Sequence, residues 1–576
     1  MAVESPRGDT RELTVRAVIT GMVIGGVLSL CNVYTGLKIG WSFNMSITAA
    51  LLSYGFWQGL HATAGTRRWG KLENNINQTA ASSAAAISSA GLVAPIPALT
   101  LLTGVEFGWA ELALWTFSVA MVGVVVAVSL RRQMLEVDAL PFPFGVAAGE
   151  ALNEMYARGS EAAERVRALL LGGLFGGAMN LWIALAKVPK LILPGVVSGF
   201  SLKNLTFVLS PSPLFVALGA LVGLRTGLSM LFGAFVAWAV VVPLAIRSGW
   251  VMVGAPDAMW FRELVEWALW PGVAMMVTAA LTSFSFSWRS VLAAMRGLRT
   301  SRQQRPRRGF AIGVMAVLLL SVVLQFGLFG IGWGLATFGV LLTFVLAIVA
   351  ARVSGETGLT PIGAMGKVTQ LTFGALDGSN VSANLMAANV TGGAASQCAD
   401  LLHDLKAGLM VGASPRSQAI AQCFGVLSGA LCGSAVYLVL AQDLDALLAD
   451  PDWGLTAVLQ WKAVAEIFQK GIENLPVGSV PAMLWGGTVG VVLAVLEKVL
   501  RPERARWVPS PTAIGLAFVI PAYYSISMAA GALLSEGLRR RWPTWTRRFL
   551  IVVAAGVVAG DSLMGVGVAV VRILSG

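Results

Sequence analysis

Three stretches of this 576-residue chain place ionisable side chains beside Gly and Pro in otherwise apolar surroundings. In PFPFGVAAGEALNEMY (141–156), Glu150 and Glu154 stand one helical turn apart. In SGETGLTPIGAMGKVTQLTFGALDG (354–378), Glu356 lies among the helix breakers Gly355, Gly358 and Pro361, followed by Lys367 and Gln370. In NVTGGAASQCADLLHDLKAG (389–408), Asn389 precedes Asp400, Asp404 and Lys406. Irregular backbone survives at membrane depth only where protein or a water cavity surrounds it. The helix ends and carbonyls it exposes suit charged, hydrogen-bonding solutes. The competing reading is an interfacial loop whose charges face water, and the loop-like GASPR after Lys406 leaves the third stretch evenly divided between the two.

Asp561 differs, because it interrupts the final apolar run LIVVAAGVVAGDSLMGVGVAVV. A carboxylate at the bilayer centre costs about 3 kcal/mol or more unless it is neutral or partnered. That makes it either a proton carrier or a hydrogen-bonding link to a neighbouring helix. In NNINQTAASSAAAISSAGLVAPIP (74–97), Ser82, Ser83, Ser88 and Ser89 suit close helix packing. Asn75 and Gln78 are uncharged groups able to bind amides and carboxylates. Tyr34 and Lys38, at the far end of the first span, suit either an entrance or an interfacial belt with its flanking cation.

These residues need a scaffold, and composition says which kind. Apolar residues make up 56% of the chain and charged residues 12%, with a mean hydropathy of +0.75. Soluble chains carry roughly 25% charged residues, so a soluble enzyme, a nucleic-acid binder and an extracellular scaffold are excluded. The net charge of +12 comes from 41 Lys and Arg against 29 Asp and Glu. Those cations sit between apolar runs, where they hold loops on the cytoplasmic side.

Charge-free runs locate the spans, since a crossing takes about 20 helical residues. They begin with 17–37, 39–66, 74–105 and 112–130 and continue through 204–224 and 226–246 to 507–535. The run 309–351 is long enough for two crossings, and Pro521 divides 507–535. Residues 360–376 are the best candidate for a re-entrant segment. The expectation is an all-α polytopic membrane protein of about 16 transmembrane segments, some re-entrant or broken. An N-terminal half (1–288) and a C-terminal half (309–576) flank a basic cytoplasmic linker (289–308). The halves look related: PSPLFVALGALVGLRTGLSMLFGA (211–234) and PSPTAIGLAFVIPAYYSISMAAGA (509–532) align without a gap. Many secondary transporters are built from such repeats, with the site between them near the midplane.

Nothing in the sequence supports catalysis. Walker A and HExxH motifs are missing, and only two histidines, His61 and His403, are present. The cysteines Cys31, Cys398, Cys423 and Cys432 form no CxxC, so neither a zinc site nor a disulfide framework follows. Trp250, Trp260, Trp267 and Trp270 read as an interfacial belt.

GETGLTPIGAMGKVTQLTFG (355–374), ENNINQTAASSA (73–84), LRRQMLEVDALPFPFGVAAGEAL (130–152), ASPRSQAIAQ (413–422), PSPTAIGLA (509–517) and AGDSLMG (559–565) together resemble the oligopeptide transporter (OPT) family. The resemblance keeps its order over nearly the whole chain. The NPGPFN-type signature of the fungal and plant peptide branch is absent, which makes the chain similar to prokaryotic members near the yellow-stripe-like branch. The resemblance implies a fold of roughly 16 helices built by duplication. It also implies proton-driven uptake of oligopeptides, glutathione-like peptides or metal–chelate complexes. Glu356, Lys367, Gln370, Asn75 and Gln78 fall in its motif positions.

The expectation is therefore a proton-coupled importer working by alternating access in a bacterial inner membrane. Asn75, Gln78, Gln370, Asn389 and Tyr34 would recognise solute, and Lys367 would pair with its carboxylate. Glu356 or Asp561, then Glu150, would carry the proton. Expected partners are the solute, the bilayer and a second copy of the chain, with no nucleic acid, metal or cofactor beyond the coupling H+. The alternatives are a sodium-coupled or uncoupled carrier and, in other classes, a channel, a membrane enzyme or a scaffold.

Overall fold

The computed structural model describes residues 11–286 and 308–574, apart from 41, 158, 211, 359, 451 and 452. The linker 289–308 lies outside the described residues except for Arg308, which opens a helix. Among those residues, eleven helices are long and apolar enough to cross a membrane. The chain is a polytopic helical membrane protein whose only strands, among the described residues, are four two-residue pieces. They form nested antiparallel hairpins, Leu191–Ile192 with Val208–Leu209 and Val196–Val197 with Phe200–Ser201.

The expected breaks are present. The run 309–351 folds as Arg308–Phe329 and Trp333–Thr357, separated at Gly330, whose φ of +65° stops the first helix. Pro521 stands between Pro511–Ala517 and Ala522–Arg541. The re-entrant candidate is the helix Ile362–Leu376, whose 15 residues reach about 22 Å, short of a crossing. The expected run 204–224 is instead a hairpin strand followed by a ten-residue helix, Pro213–Val222. Pro213 can only start a helix there, and Gly223 ends it with a φ of +83°.

The two PSP segments fold alike. Pro213 and Pro511 each open a short helix, and after a break Leu224 and Ala522 open the next, in the register of the gapless alignment. The two broken segments pack crosswise, with Phe215 stacked on Tyr524 at 3.7 Å between ring centroids.

One helix organises the centre. Val381–Val411 is 31 residues long and buried on every face, the mark of a helix inside a bundle. Its small residues let backbones approach: a Cβ on Gly393 would fall 3.0 Å from Ala90 Cα, and Gly123 faces the Ala394 carbonyl in the same way. Against it runs the broken segment Lys71–Thr103. There a helix to Ala85 passes through a 3-10 turn, Ala86–Ala90, and Gly91 before resuming at Pro95. A second close seam joins Gly159–Ala186 to the last helix, Ile551–Leu574. Gly172 and Gly176 meet Val553 and Val557 carbonyls, and Gly556 and Gly560 meet those of Leu169 and Gly173. These are reciprocal small-xxx-small contacts.

The tryptophan expectation is corrected. Trp260, Trp267 and Trp270 are each 5% exposed or less, inside the protein, and only Trp250 is exposed, stacked on Trp267. The helix Phe261–Phe286 turns its tryptophans toward its neighbours, so these rings fill a core.

Candidate functional site

The break in Lys71–Thr103, the start of Ile362–Leu376, the middle of Val381–Val411 and the helices Thr456–Lys470 and Pro511–Ala517 surround an inner cavity of about 210 Å³. Ser88 and Ser89 line it from the break, Asn389 and Gly392 from the central helix, Gln460 and Trp461 from the helix opposite, and Thr512 from Pro511–Ala517. Unwound backbone from both ends of the chain thus meets at one place.

Asn389 is 1% exposed, and neither polar atom of its amide has a hydrogen-bond partner; Ser88 Oγ also has none. Leaving buried polar groups unpaired costs about 1–3 kcal/mol each, and these three atoms are the ones to which a polar guest in the cavity would bond. Gly91 makes room for the Asn389 amide. Its φ is +122°, and a Cβ there would lie 2.5 Å from Asn389 Nδ2.

Behind Trp461 lies Lys367. Its Nζ donates to Gln370 Oε1 at 2.7 Å and to the Gln460 carbonyl at 3.4 Å, and stands 4.6 Å from the Trp461 ring centroid. Gln370 donates on to Asn384 Oδ1 at 3.1 Å and to the Trp461 carbonyl at 3.2 Å. Lys367 is 4% exposed, and among the described residues it forms no ion pair. Lys367, Gln370 and Asn389, named from the sequence, are therefore gathered round Trp461. Asn384, Gln460 and Trp461 join them without having been named. Lys462, Glu466 and Lys470 give that helix the look of a loop, and the alternation of Val458, Leu459, Trp461 and Val464 with those charges was the available signal.

A second, wider cavity of about 710 Å³ opens where the first helix (Val15–Ile39), Gly159–Ala186, Pro415–Leu440 and the last helix end. Tyr34, Lys38, Asn180, Lys187, Asp443 and Arg572 line this vestibule. Lys38 donates to Tyr34 Oη at 3.1 Å, and Tyr34 meets Trp453 edge-on at 5.3 Å. Asp561 lies behind this lining, 3% exposed, with Oδ1 accepting from Asn180 Nδ2 at 3.2 Å.

Only a thin partition separates the two cavities. Lys38 and Trp453 line the vestibule, whereas Ile39, Gly40 and Ala457 line the inner cavity. Gly40, with a φ of +75°, ends the first helix against Thr456, whose Oγ1 would lie 2.7 Å from an added Cβ.

The remaining sequence candidates lie elsewhere. Asn75 and Gln78 are fully buried but line neither cavity; Gln78 bonds to Asp404. Glu356 is 37% exposed at the end of its helix and accepts from Arg352 Nε at 3.1 Å. Glu150 is exposed on Pro143–Ala157. The Gly and Pro that break the chain beside Glu356 place it at the bundle's rim. Among the described residues, no cluster of His, Cys, Asp and Glu could hold a metal ion.

A family model described as OPT oligopeptide transporter protein matches residues 12–572. A putative oligopeptide transporter of Saccharomyces cerevisiae is 23% identical, over 96% of this chain and 95% of its own length. A metal-nicotianamine transporter of Arabidopsis thaliana is 24% identical, over 96% and 92%. A putative oligopeptide transporter of Haemophilus influenzae is 25% identical, over 92% and 91%.

Proposed function

The chain belongs to the oligopeptide transporter (OPT) family, and from that premise we propose that it imports small peptides or metal–chelate complexes by proton-coupled alternating access. The observation that carries this reading is the buried amine of Lys367, set beside Trp461 and the unpaired amide of Asn389 where broken helices meet. A buried charge is costly unless paired. A solute carboxylate would supply the missing partner, and the amides of Asn389 and Gln460 would take its polar backbone. Peptides and carboxylate-rich chelates share that chemistry, as do the substrates named for the yeast and plant relatives.

The vestibule has the size of an ordinary small-ligand site, about 300–1,000 Å³, and the inner cavity is smaller. This pair fits a carrier seen with its inner site drawn in. Lys38, Lys187 and Arg572 would attract an anionic solute to the vestibule, and Tyr34 with Trp453 would be its first contact before the partition opens. The coupling proton belongs on Asp561, because Glu356 and Glu150 are exposed and Glu356 already has Arg352. Asp561 is hydrogen-bonded to the uncharged amide of Asn180, with Lys38 the cation acting on its charge, so its protonation would be coupled to the vestibule. A bacterial inner membrane is the setting that fits.

The test is uptake into proteoliposomes of a labelled peptide panel and an iron–chelate panel, with and without an inward proton gradient. Gradient-dependent accumulation of one panel supports the reading. Accumulation indifferent to protons but driven by Na+ favours the sodium-coupled alternative, and flux that never exceeds equilibrium favours a channel.

A further inference from the structure

Asp404 occupies a second buried polar centre, on the same central helix as Asn389 but toward its C-terminal end. It is 1% exposed. Its Oδ1 accepts from Gln78 Nε2 at 2.9 Å and from Ser46 Oγ at 3.2 Å. Its backbone carbonyl accepts from Gln418 Nε2 at 2.7 Å, and both glutamines also donate to Thr79 Oγ1 at 3.2 Å. Side chains from two other helices thus reach the carboxylate, and one from a third holds its backbone carbonyl.

The hydrogen-bond bookkeeping does not close. Each amide nitrogen has two hydrogens, and both glutamines have spent theirs. Three fully buried oxygens are left without a donor: Asp404 Oδ2, Gln78 Oε1 and Gln418 Oε1. Gln78 and Gln418 are each 0% exposed; the Gln78 amide meets the Asp404 carboxylate, and the Gln418 amide meets its backbone carbonyl one turn from Gly408. What is missing is a donor or a cation.

The protein supplies no cation. Among the described residues neither Asp404 nor Asp400 forms an ion pair. The charged group facing Asp404 is Asp400, half-buried one turn earlier on the same helix. Other titratable neighbours are engaged elsewhere. Lys406 donates to the Leu140 carbonyl, and His403 accepts from the Gly145 N–H and bonds Ser354. Glu73 is held by Arg16 and Arg67, Arg131 pairs with Glu136, and Arg416 lines an apolar cavity. Glu150 faces out. Two carboxylates on one helical face with no cation are relieved by a proton.

We propose that Asp404, with Gln78 and Gln418, is a proton-binding site reached through Asp400, separate from Asp561. The proton sits on Asp404 Oδ2 and makes it a single O–H donor for Gln78 Oε1, whose amide already meets the carboxylate. Release leaves Asp404 ionised against Gln78 and Ser46, with the proton passed to Asp400. Movement of the central helix would then respond to protonation at one end and to solute at Asn389 at the other. This last step rests on the transport reading; the proton site does not.

The test is infrared difference spectroscopy of the purified full-length protein between acid and alkaline buffers without Na+. The expected result is a carboxylic-acid carbonyl band that disappears in Asp404→Asn, moves in Asp404→Glu and survives in Asp561→Asn. A band unchanged in Asp404→Asn, or no titrating band, overturns the proposal. So does a band in the wild type that Na+ removes at constant pH, which would make the ligand a metal cation. If Asp404→Asn does not fold, Asp404→Glu carries the same test. Failure of the uptake experiment with these bands intact would overturn the transport reading and leave this site standing.

Discussion

Asn389 fills the space that Gly91 leaves by lacking a side chain, so the break in one helix and the polar residue of another form a single feature of the inner cavity. A methyl group on Gly91 would both strain a left-handed backbone and displace the Asn389 amide.

Gly91→Ala is expected to lower stability by about 1–3 kcal/mol and to weaken solute affinity. Asn389→Ala should weaken affinity while sparing stability, because it removes two unpaired polar atoms. In the double variant the losses should not add, since the two residues touch. Thermal unfolding in detergent and tracer uptake at several solute concentrations read the two effects. Additive losses would mean that Gly91 acts through its backbone alone.

Asp561→Asn should keep the protein folded, because an amide can still accept from Asn180. It should abolish accumulation driven by a proton gradient but leave solute exchange across equilibrated membranes. Loss of both activities would assign Asp561 to structure rather than coupling.

The seam between Gly159–Ala186 and the last helix gives a stability prediction with an internal control. A Cβ on Gly560 would sit 1.9 Å from the Gly173 carbonyl, whereas one on Gly567 meets nothing within 4 Å. Gly560→Ala should cost about 1–3 kcal/mol by overpacking, and Gly567→Ala should stay within about 0.5 kcal/mol of wild type. Equal melting temperatures would show that the two helices do not pack as closely as described.

Much of the scaffold was legible because the bilayer imposes it. Apolar runs of fixed length had to be crossings, the run 309–351 was too long for one, and Pro521 had to interrupt a helix. The chemistry was only partly legible. Lys367, Gln370 and Asn389 stand out as polar residues in apolar company, and they do meet. Glu356 and Asp404 look alike by local sequence, yet one is paired with Arg352 at the rim and the other is held by side chains from three other helices. Local helix breakers suggested depth for Glu356, and GASPR left Asp404 balanced between depth and surface. The continuous helix Val381–Val411 reverses that order, because burial is set by which helices surround a residue. Trp461 stayed hidden for the same reason, being the apolar face of a helix whose other face is charged.

Lys367 as the anchor of a solute carboxylate is the central claim, and equilibrium binding to the purified protein tests it most directly. The solute found by uptake would be compared with its carboxyl-amidated form, in wild type and in Lys367→Met. The account predicts that amidation weakens wild-type binding by about tenfold or more, equivalent to about 1.4 kcal/mol, and that the variant binds both forms equally weakly. Stability should fall only modestly in Lys367→Met, by about 1–3 kcal/mol, because Gln370 Oε1 loses its donor while a buried amine is removed. A folded Lys367→Met that still discriminates the carboxylate by the wild-type factor would contradict the account.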